Sequence, residues 1–182
     1  MTDVLVTSRL RLRRARAGDA AALHDVFTRP EAMRFWSTPP HTEMAQTERW
    51  LATMIEPADD VADDFIVEHR GRAIGKAGCW RLPEIGFILH PDYWRQGIAL
   101  EALGAVIPHL FACHAVATIT ADVDPGNDAS LGLLRRLGFA ETGRAARAWC
   151  VGGVWSDSVY LALTRPTADP ASPPSAGSVA RP

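Results

Sequence analysis

The stretch EIGFILHPDYWRQGIALEAL, from Glu84 to Leu103, holds the residues best suited to chemistry. An alternating apolar segment ends at Pro91, a linker runs through Tyr93-Trp94-Arg95-Gln96-Gly97, and a run with helical periodicity follows. A strand that feeds a helix in this way directs several unpaired backbone N–H groups at one spot, which suits a pyrophosphate. Gly97 lets a phosphate approach the backbone, Ala99 keeps the first helical turn clear, and Arg95 adds charge. Glycine at a helix start is more often structural, so this stretch alone does not fix a ligand. Neither GxGxxG nor a Walker A sequence is present. Cys79, Cys113 and Cys150 are far apart and form no CxxC or CxxH unit, so no metal site and no disulfide framework is predicted.

The elements that must position this stretch follow from periodicity. Residues 9–14 read as an opening strand in which Leu10 and Leu12 face inward and the arginines form a basic outer face. A short helix follows with Asp19 as its N-cap, and Pro30 interrupts the pattern. Next comes a helix from about Thr42 to Ile55, with Thr42 as cap and Met44, Leu51 and Ile55 on one face. The stretch Pro57–Asp64 reads as a turn. DFIVEH and RAIGKAGCW are strands joined by a tight turn at Arg70-Gly71, and in EIGFIL the residues Ile85, Phe87 and Leu89 face one way while Gly86 leaves the other face open. The clearest helix runs from Gly97 to Phe111, with a bend or an early end expected at Pro108. AVATITA reads as a strand, and DASLGLLRRLGF as a helix closed by Gly138. A hairpin around Gly152-Gly153 comes last. From Arg165 the composition becomes Pro, Ala and Ser, which predicts a disordered tail over 165–182 after a single domain over 1–164.

The order predicts a mixed α/β domain with a largely antiparallel sheet flanked by helices, and one core for 182 residues. Apolar residues make up 47% of the chain and charged residues 22%, with a net charge of -2 that argues against a polycation built to bind nucleic acid. No apolar run approaches the ~20 residues that span a bilayer. The start MTDVLVTSRLRLRR reverses the order of a signal peptide, so a cytoplasmic protein without a membrane anchor is expected.

Trp94-Arg95-Gln96-Gly97-Ile98-Ala99, followed by Glu101-Ala102-Leu103, resembles the acetyl-CoA pyrophosphate loop of the GNAT acetyltransferases. The likeness is to the branch containing the ribosomal-protein N-terminal acetyltransferases. Asn127-Asp128-Ala129-Ser130 with Leu137-Gly138-Phe139 resembles the family's second signature, and Trp155, Asp157 and Tyr160-Leu161-Ala162-Leu163 look like the branch's closing strand. The likeness spans roughly residues 8–163. Trp94 stands where the wider family has Gln or Arg, although Trp is usual in this branch. Arg95 replaces a common glycine and Leu100 a common threonine. None of these changes removes a backbone donor.

The resemblance implies a sheet splayed between its fourth and fifth strands, EIGFIL and AVATITA. The pantetheine arm of acetyl-CoA would lie in the split beside the backbone of Ile88, Leu89 and His90, with the Leu89 N–H as an oxyanion donor. It also implies direct attack of a primary amine on the thioester without a metal. Ser130 is the leaving-group donor by this reading, with helix capping as its ordinary alternative, and Asn127 orients backbone or pantetheine. Glu84 is the candidate base, through water, with His90 and Tyr93 in reserve. Trp36, Trp80 and Trp155, together with Tyr93, are expected around the acceptor. The branch points to a protein N-terminal α-amine as acceptor. A small-molecule amine (polyamine, amino acid or amine-bearing antibiotic) and a non-catalytic acyl-CoA-binding module are the alternatives.

Overall fold

The computed structural model describes residues 3–57 and 62–166. Its elements run β1 (Val4–Val6), β2 (Leu10–Arg13), α1 (Ala20–Phe27), α2 (Pro30–Met33), α3 (Met44–Ile55), β3 (Asp63–His69), β4 (Arg72–Arg81) and β5 (Glu84–Leu89). They continue with α4 (Ile98–Cys113), β6 (Thr118–Val123), α5 (Asp128–Arg136), β7 (Ala140–Val151) and β8 (Val154–Thr164). One eight-stranded sheet has the order β1-β2-β3-β4-β5-β6-β8-β7, antiparallel throughout except for β5 beside β6. The mixed α/β, largely antiparallel reading is therefore met. The three-residue β1, absent from the sequence reading, makes the separated strands the fifth and sixth, although they are the same two segments.

The apolar side chains divide between the two faces of the sheet. Leu103, Val106 and Leu110 of α4 pack with Leu12, Phe65 and Ile119 on one face. Leu23 and Phe27 of α1 and Leu51 of α3 pack with Ile66 and Ile88 on the other. The alternation in β5 decides which residue meets which face, since Ile85 and Leu89 join the α4 cluster and Ile88 the other.

Several local expectations are corrected by packing. Pro108 does not end α4, which continues to Cys113; buried Ile107, Leu110 and Phe111 hold the turns on either side of the missing N–H. Pro30 does interrupt the pattern, since α1 ends at Phe27 and the proline opens the short α2. Asp19 stands at the N-cap position of α1, but its carboxylate accepts from the Arg13 guanidinium at 2.6 and 2.9 Å and from the Arg16 N–H, not from an α1 amide. The α3 cap is Glu43, not Thr42, and Gln46 reaches back to the Glu43 N–H at 2.9 Å. Leu51 is buried as expected, whereas Met44 and Ile55 are exposed. Arg13 is buried against Asp19 and Glu68, so the basic outer face is not uniform. Asp63 and Asp64 already belong to β3, not to a turn.

The hairpin at Gly152-Gly153 forms as read, with positive φ at both glycines. Arg165 is tied to the body, its Nη2 donating to the His114 carbonyl at 2.7 Å, while the tail reading from residue 167 onward lies outside the described residues.

Gly75 sets the spacing of β4 and β5. It has φ +153°, and a Cβ there would overlap the Ile88 carbonyl and the Leu89 Cα. Gly75→Ala should therefore push β5 away and destabilise the fold by about 3 kcal/mol, lowering the melting temperature by roughly 6–12 °C. A melting temperature unchanged within error would mean that the two strands separate freely.

Candidate active site

β5 and β6 register at a single pair, Glu84 with Thr120, where the Thr120 N–H donates to the Pro83 carbonyl at 2.9 Å. Beyond that pair the strands part, and a cleft of about 2090 Å³ opens between them and runs toward α2 and the β7–β8 hairpin. The direction of each β5 amide follows from alternation. The His90 N–H donates to Ile74 O at 2.8 Å, toward β4, so those of Leu89 and Phe87 turn toward the split. The Leu89 carbonyl bears this out by accepting from Trp94 Nε1 at 2.9 Å. Of the expected backbone trio, Leu89 alone faces the split. Ile88 faces β4, the His90 N–H goes to β4 while its carbonyl accepts from the Tyr93 N–H, and Phe87 takes the place given to them. The His90 side chain also points away, with its Nε2 3.4 Å from Asp25 of α1.

The linker after β5 makes a 3₁₀ turn over Pro91–Tyr93, passes Arg95 at φ +59° and reaches Gly97 at φ +74°. Gly97 occupies the N-cap position of α4 and supplies no side-chain cap, so the first-turn amides stay open to a ligand. Trp94, Arg95, Gly97, Ile98 and Ala99 line the cleft. Gln96 does not; its amide donates to Asp92 O at 2.7 Å and its carbonyl accepts from Arg9 Nη1 at 2.9 Å. Arg9, missed as one arginine among several in the opening strand, places Nη2 3.5 Å from where a Gly97 Cβ would lie. Open amides, a left-handed glycine and two flanking guanidinium groups fit a pyrophosphate.

Asn127 caps α5, its Oδ1 accepting from the Ser130 N–H at 3.1 Å. The Ser130 hydroxyl lines the cleft and makes no hydrogen bond among the described residues. Capping thus falls to Asn127, which separates the two roles that Ser130 could have had.

Glu84, Trp36, Trp80 and Tyr93 all line the cleft, and Trp80 Nε1 donates to Glu84 Oε1 at 3.1 Å. Trp155 does not join them. It is 52% exposed on the hairpin with the Arg147 guanidinium 5.1 Å from its ring centroid. Trp149 lines the cleft instead and donates to Asp122 Oδ2 at 2.7 Å. Two further groups escaped the sequence reading: Lys76 and Asp64, a buried ion pair at 3.0 Å that also lines the cleft. Burial pushes the Asp64 carboxyl above the usual range, and the Lys76 ammonium acts against that shift. A lysine alone among apolar and small residues from Ala73 to Cys79 was the available signal. Among the described residues, no group of three or more His, Cys, Asp or Glu side chains could hold a metal ion, and no helix is long and apolar enough to cross a membrane.

Glu101 anchors the loop. It accepts from Thr7 Oγ1 at 2.5 Å, Ser8 Oγ at 3.0 Å, the Arg9 N–H at 2.9 Å and Arg9 Nε at 2.6 Å. Burial alone would raise this carboxyl, but the bonds from Thr7 and Arg9 overcome it and hold it at about 2, against an ordinary 4.5. A depressed folded-state pKa gives stability that is complete above the unfolded value and is lost as pH falls through the folded one. The protein should lose this contribution between pH 4.5 and about 2, and Glu101→Gln should flatten its unfolding free energy over that window. Identical acid dependence in the two proteins would show that Glu101 is not the linked group.

Comparison with known proteins agrees with this geometry. The acetyltransferase (GNAT) domain family matches residues 9–140. The uncharacterized N-acetyltransferase p20 of Bacillus licheniformis is 29% identical over 154 residues, 78% of this chain and 84% of that protein. The [ribosomal protein uS5]-alanine N-acetyltransferase of Escherichia coli (strain K12) is 34% identical over 82 residues, 45% of this chain and 42% of its own. The spermidine N(1)-acetyltransferase of the same strain is 22% identical over 163 residues, 85% of each chain. Among solved structures, the RimL ribosomal L7/L12 alpha-N-protein acetyltransferase superposes with a TM-score of 0.80 at 20% identity, covering 91% of this chain and 96% of that one. The chain belongs to the GNAT family and is an acetyltransferase that uses acetyl-CoA.

Proposed function

We propose that this enzyme acetylates the α-amine at a protein N-terminus. The transfer chemistry is carried by one observation: Ser130 lines the cleft with a hydroxyl that makes no hydrogen bond among the described residues, and the Leu89 amide also faces the split. Support for a peptide acceptor comes from the likeness to the uS5-alanine enzyme and from a cleft that continues to the hairpin tip at Gly152 and Val154.

Acetyl-CoA supplies an acetyl group activated as a thioester. The Leu89 N–H donates to the carbonyl oxygen on which negative charge develops. Ser130 donates its hydroxyl hydrogen to the sulfur as the C–S bond breaks and the C–N bond is made, and solvent water returns a proton to the serine as the CoA thiol leaves. Glu84, with one oxygen held by Trp80, takes the proton released by the amine through an intervening water. An α-amine near pKa ~8 is partly neutral at physiological pH, so a weak base suffices. No metal enters this scheme.

Release of the CoA thiol in the presence of peptides with free N-termini, the same peptides N-terminally blocked, and polyamines tests the proposal. Turnover with free peptides alone is expected. Turnover with polyamines alone would overturn it in favour of a small-molecule enzyme, and tight acetyl-CoA binding without thiol release would indicate a binding module. Ser130→Ala should cut turnover about 10²-fold while acetyl-CoA affinity stays nearly constant. The fold should be untouched, because Asn127 holds the cap. Normal turnover with about 1 kcal/mol less stability would return Ser130 to a structural role.

A further inference from the structure

Lys76 is 2% exposed, yet it lines the cleft on the face shared by Trp36 and Ile88. An ammonium carries three N–H donors. Asp64 accepts at both carboxylate oxygens, each 3.0 Å from Nζ. The Trp36 ring centroid lies 5.7 Å from Nζ, near the outer limit for a cation over an aromatic face. A buried cation thus keeps donor capacity that no oxygen of the described chain takes up, an expensive arrangement unless something else does. Gly86 shows where that capacity is directed. A Cβ on Gly86 would meet Lys76 Nζ at 3.6 Å and nothing else within 4 Å, so the missing side chain leaves a gap between Nζ and the cleft. Glu84 stands two residues away on the same strand face, about 7 Å along β5.

We propose that Lys76, held by Asp64, binds the oxygen of the carbonyl adjacent to the acceptor amine, so that the enzyme selects α-amino carbonyl compounds over plain amines and polyamines. The inference rests on the N-acetyltransfer reading above and narrows it. Bond lengths place the nitrogen and the oxygen of an α-amino carbonyl about 3 Å apart. An acceptor lying over Gly86 can then offer its oxygen to Nζ while its nitrogen stays on the side of Glu84. A polyamine would bring a second ammonium toward Lys76 with no oxygen to offer. A peptide N-terminus and a free amino acid share the recognised group.

The test compares kcat/KM per neutral amine for an alanyl peptide, free alanine and propylamine. A variant carrying Lys76→Met together with Asp64→Leu removes both buried charges at once and leaves neither orphaned. The wild-type enzyme should prefer the alanyl peptide to propylamine by on the order of 10- to 100-fold, the scale of one hydrogen bond to a charged donor. The double variant should lose that preference through the KM for the alanyl peptide, with acetyl-CoA affinity measured alongside to report that the fold is intact. Free alanine used as well as the peptide supports recognition of the shared carbonyl group. Equal use of peptide and propylamine by the wild-type enzyme, a comparison that needs no variant to fold, overturns the role of Lys76 and leaves N-acetyltransfer standing. A preference retained by the double variant does the same. Thiol release with none of the three overturns both readings.

Discussion

The parting of β5 from β6 is the constraint on which the site depends. Two parallel neighbours in a sheet ordinarily satisfy each other's amides and carbonyls along their whole length. Here the pairing stops after Glu84 and Thr120, and the edge of β5 from Phe87 to Leu89 lies open inside the domain. An open strand edge is a template for any group that can complete its hydrogen bonds. Trp94 covers part of it by donating to the Leu89 carbonyl, which leaves the Leu89 amide as the group presented to a ligand. The fold thus holds a backbone donor in the cleft without any special side chain.

That edge works only if the loop after β5 is held in place, and the N-terminal segment holds it. Glu101 on the first turn of α4 gathers donors from Thr7, Ser8 and Arg9, while Arg9 also bonds the Gln96 carbonyl. Residues distant in sequence therefore fix the loop at which a pyrophosphate would sit. On the opposite side of α4, Asp63 ties β3 to the helix through His109 at 2.9 Å and His114 at 2.6 Å. Burial would raise the Asp63 carboxyl, but the bonds from His114 and Arg14 hold it below the usual range. Both contacts press the helix against the same sheet, which keeps its open N-terminus aimed at the split.

The sequence reading found what local pattern controls and missed what register controls. Alternation in EIGFIL, the helical period after Gly97 and the glycine pair at 152–153 each encode one element, and the structure contains them. Trp155 was misplaced for a physical reason. The β7–β8 register shifts between Ala145 and Trp149, where Arg147 takes φ +51°, and a bulge of this kind changes which side chains share a face. Trp149 and its cross-strand partner Ser156 consequently face the cleft, while the pair formed by Cys150 and Trp155 faces away. Lys76 and Asp64 were illegible for a similar reason. Their contact exists only because β3 and β4 pair with Asp64 opposite Gly78, two residues from Lys76 and on its side of the sheet. No spacing in one dimension encodes that pairing.

The division of labour within β5 follows from its pleat. Ile85, Phe87 and Leu89 send their side chains into the cluster around α4, which anchors the strand on the loop side. Glu84 and Gly86 alternate with them, and Ile88 packs with α1 and α3 on the other face. Between the two faces, in the plane of the sheet, the amide of Leu89 points into the split. One six-residue strand therefore supplies an apolar anchor on one face of the sheet, an opening on the opposite face and a backbone donor in the plane between them. A side chain larger than hydrogen at position 86 would fill the opening without disturbing the other two. On the proposed function, substrate preference is set at one strand face and the acetyl-transfer geometry by the backbone, so the first can change while the second stays fixed.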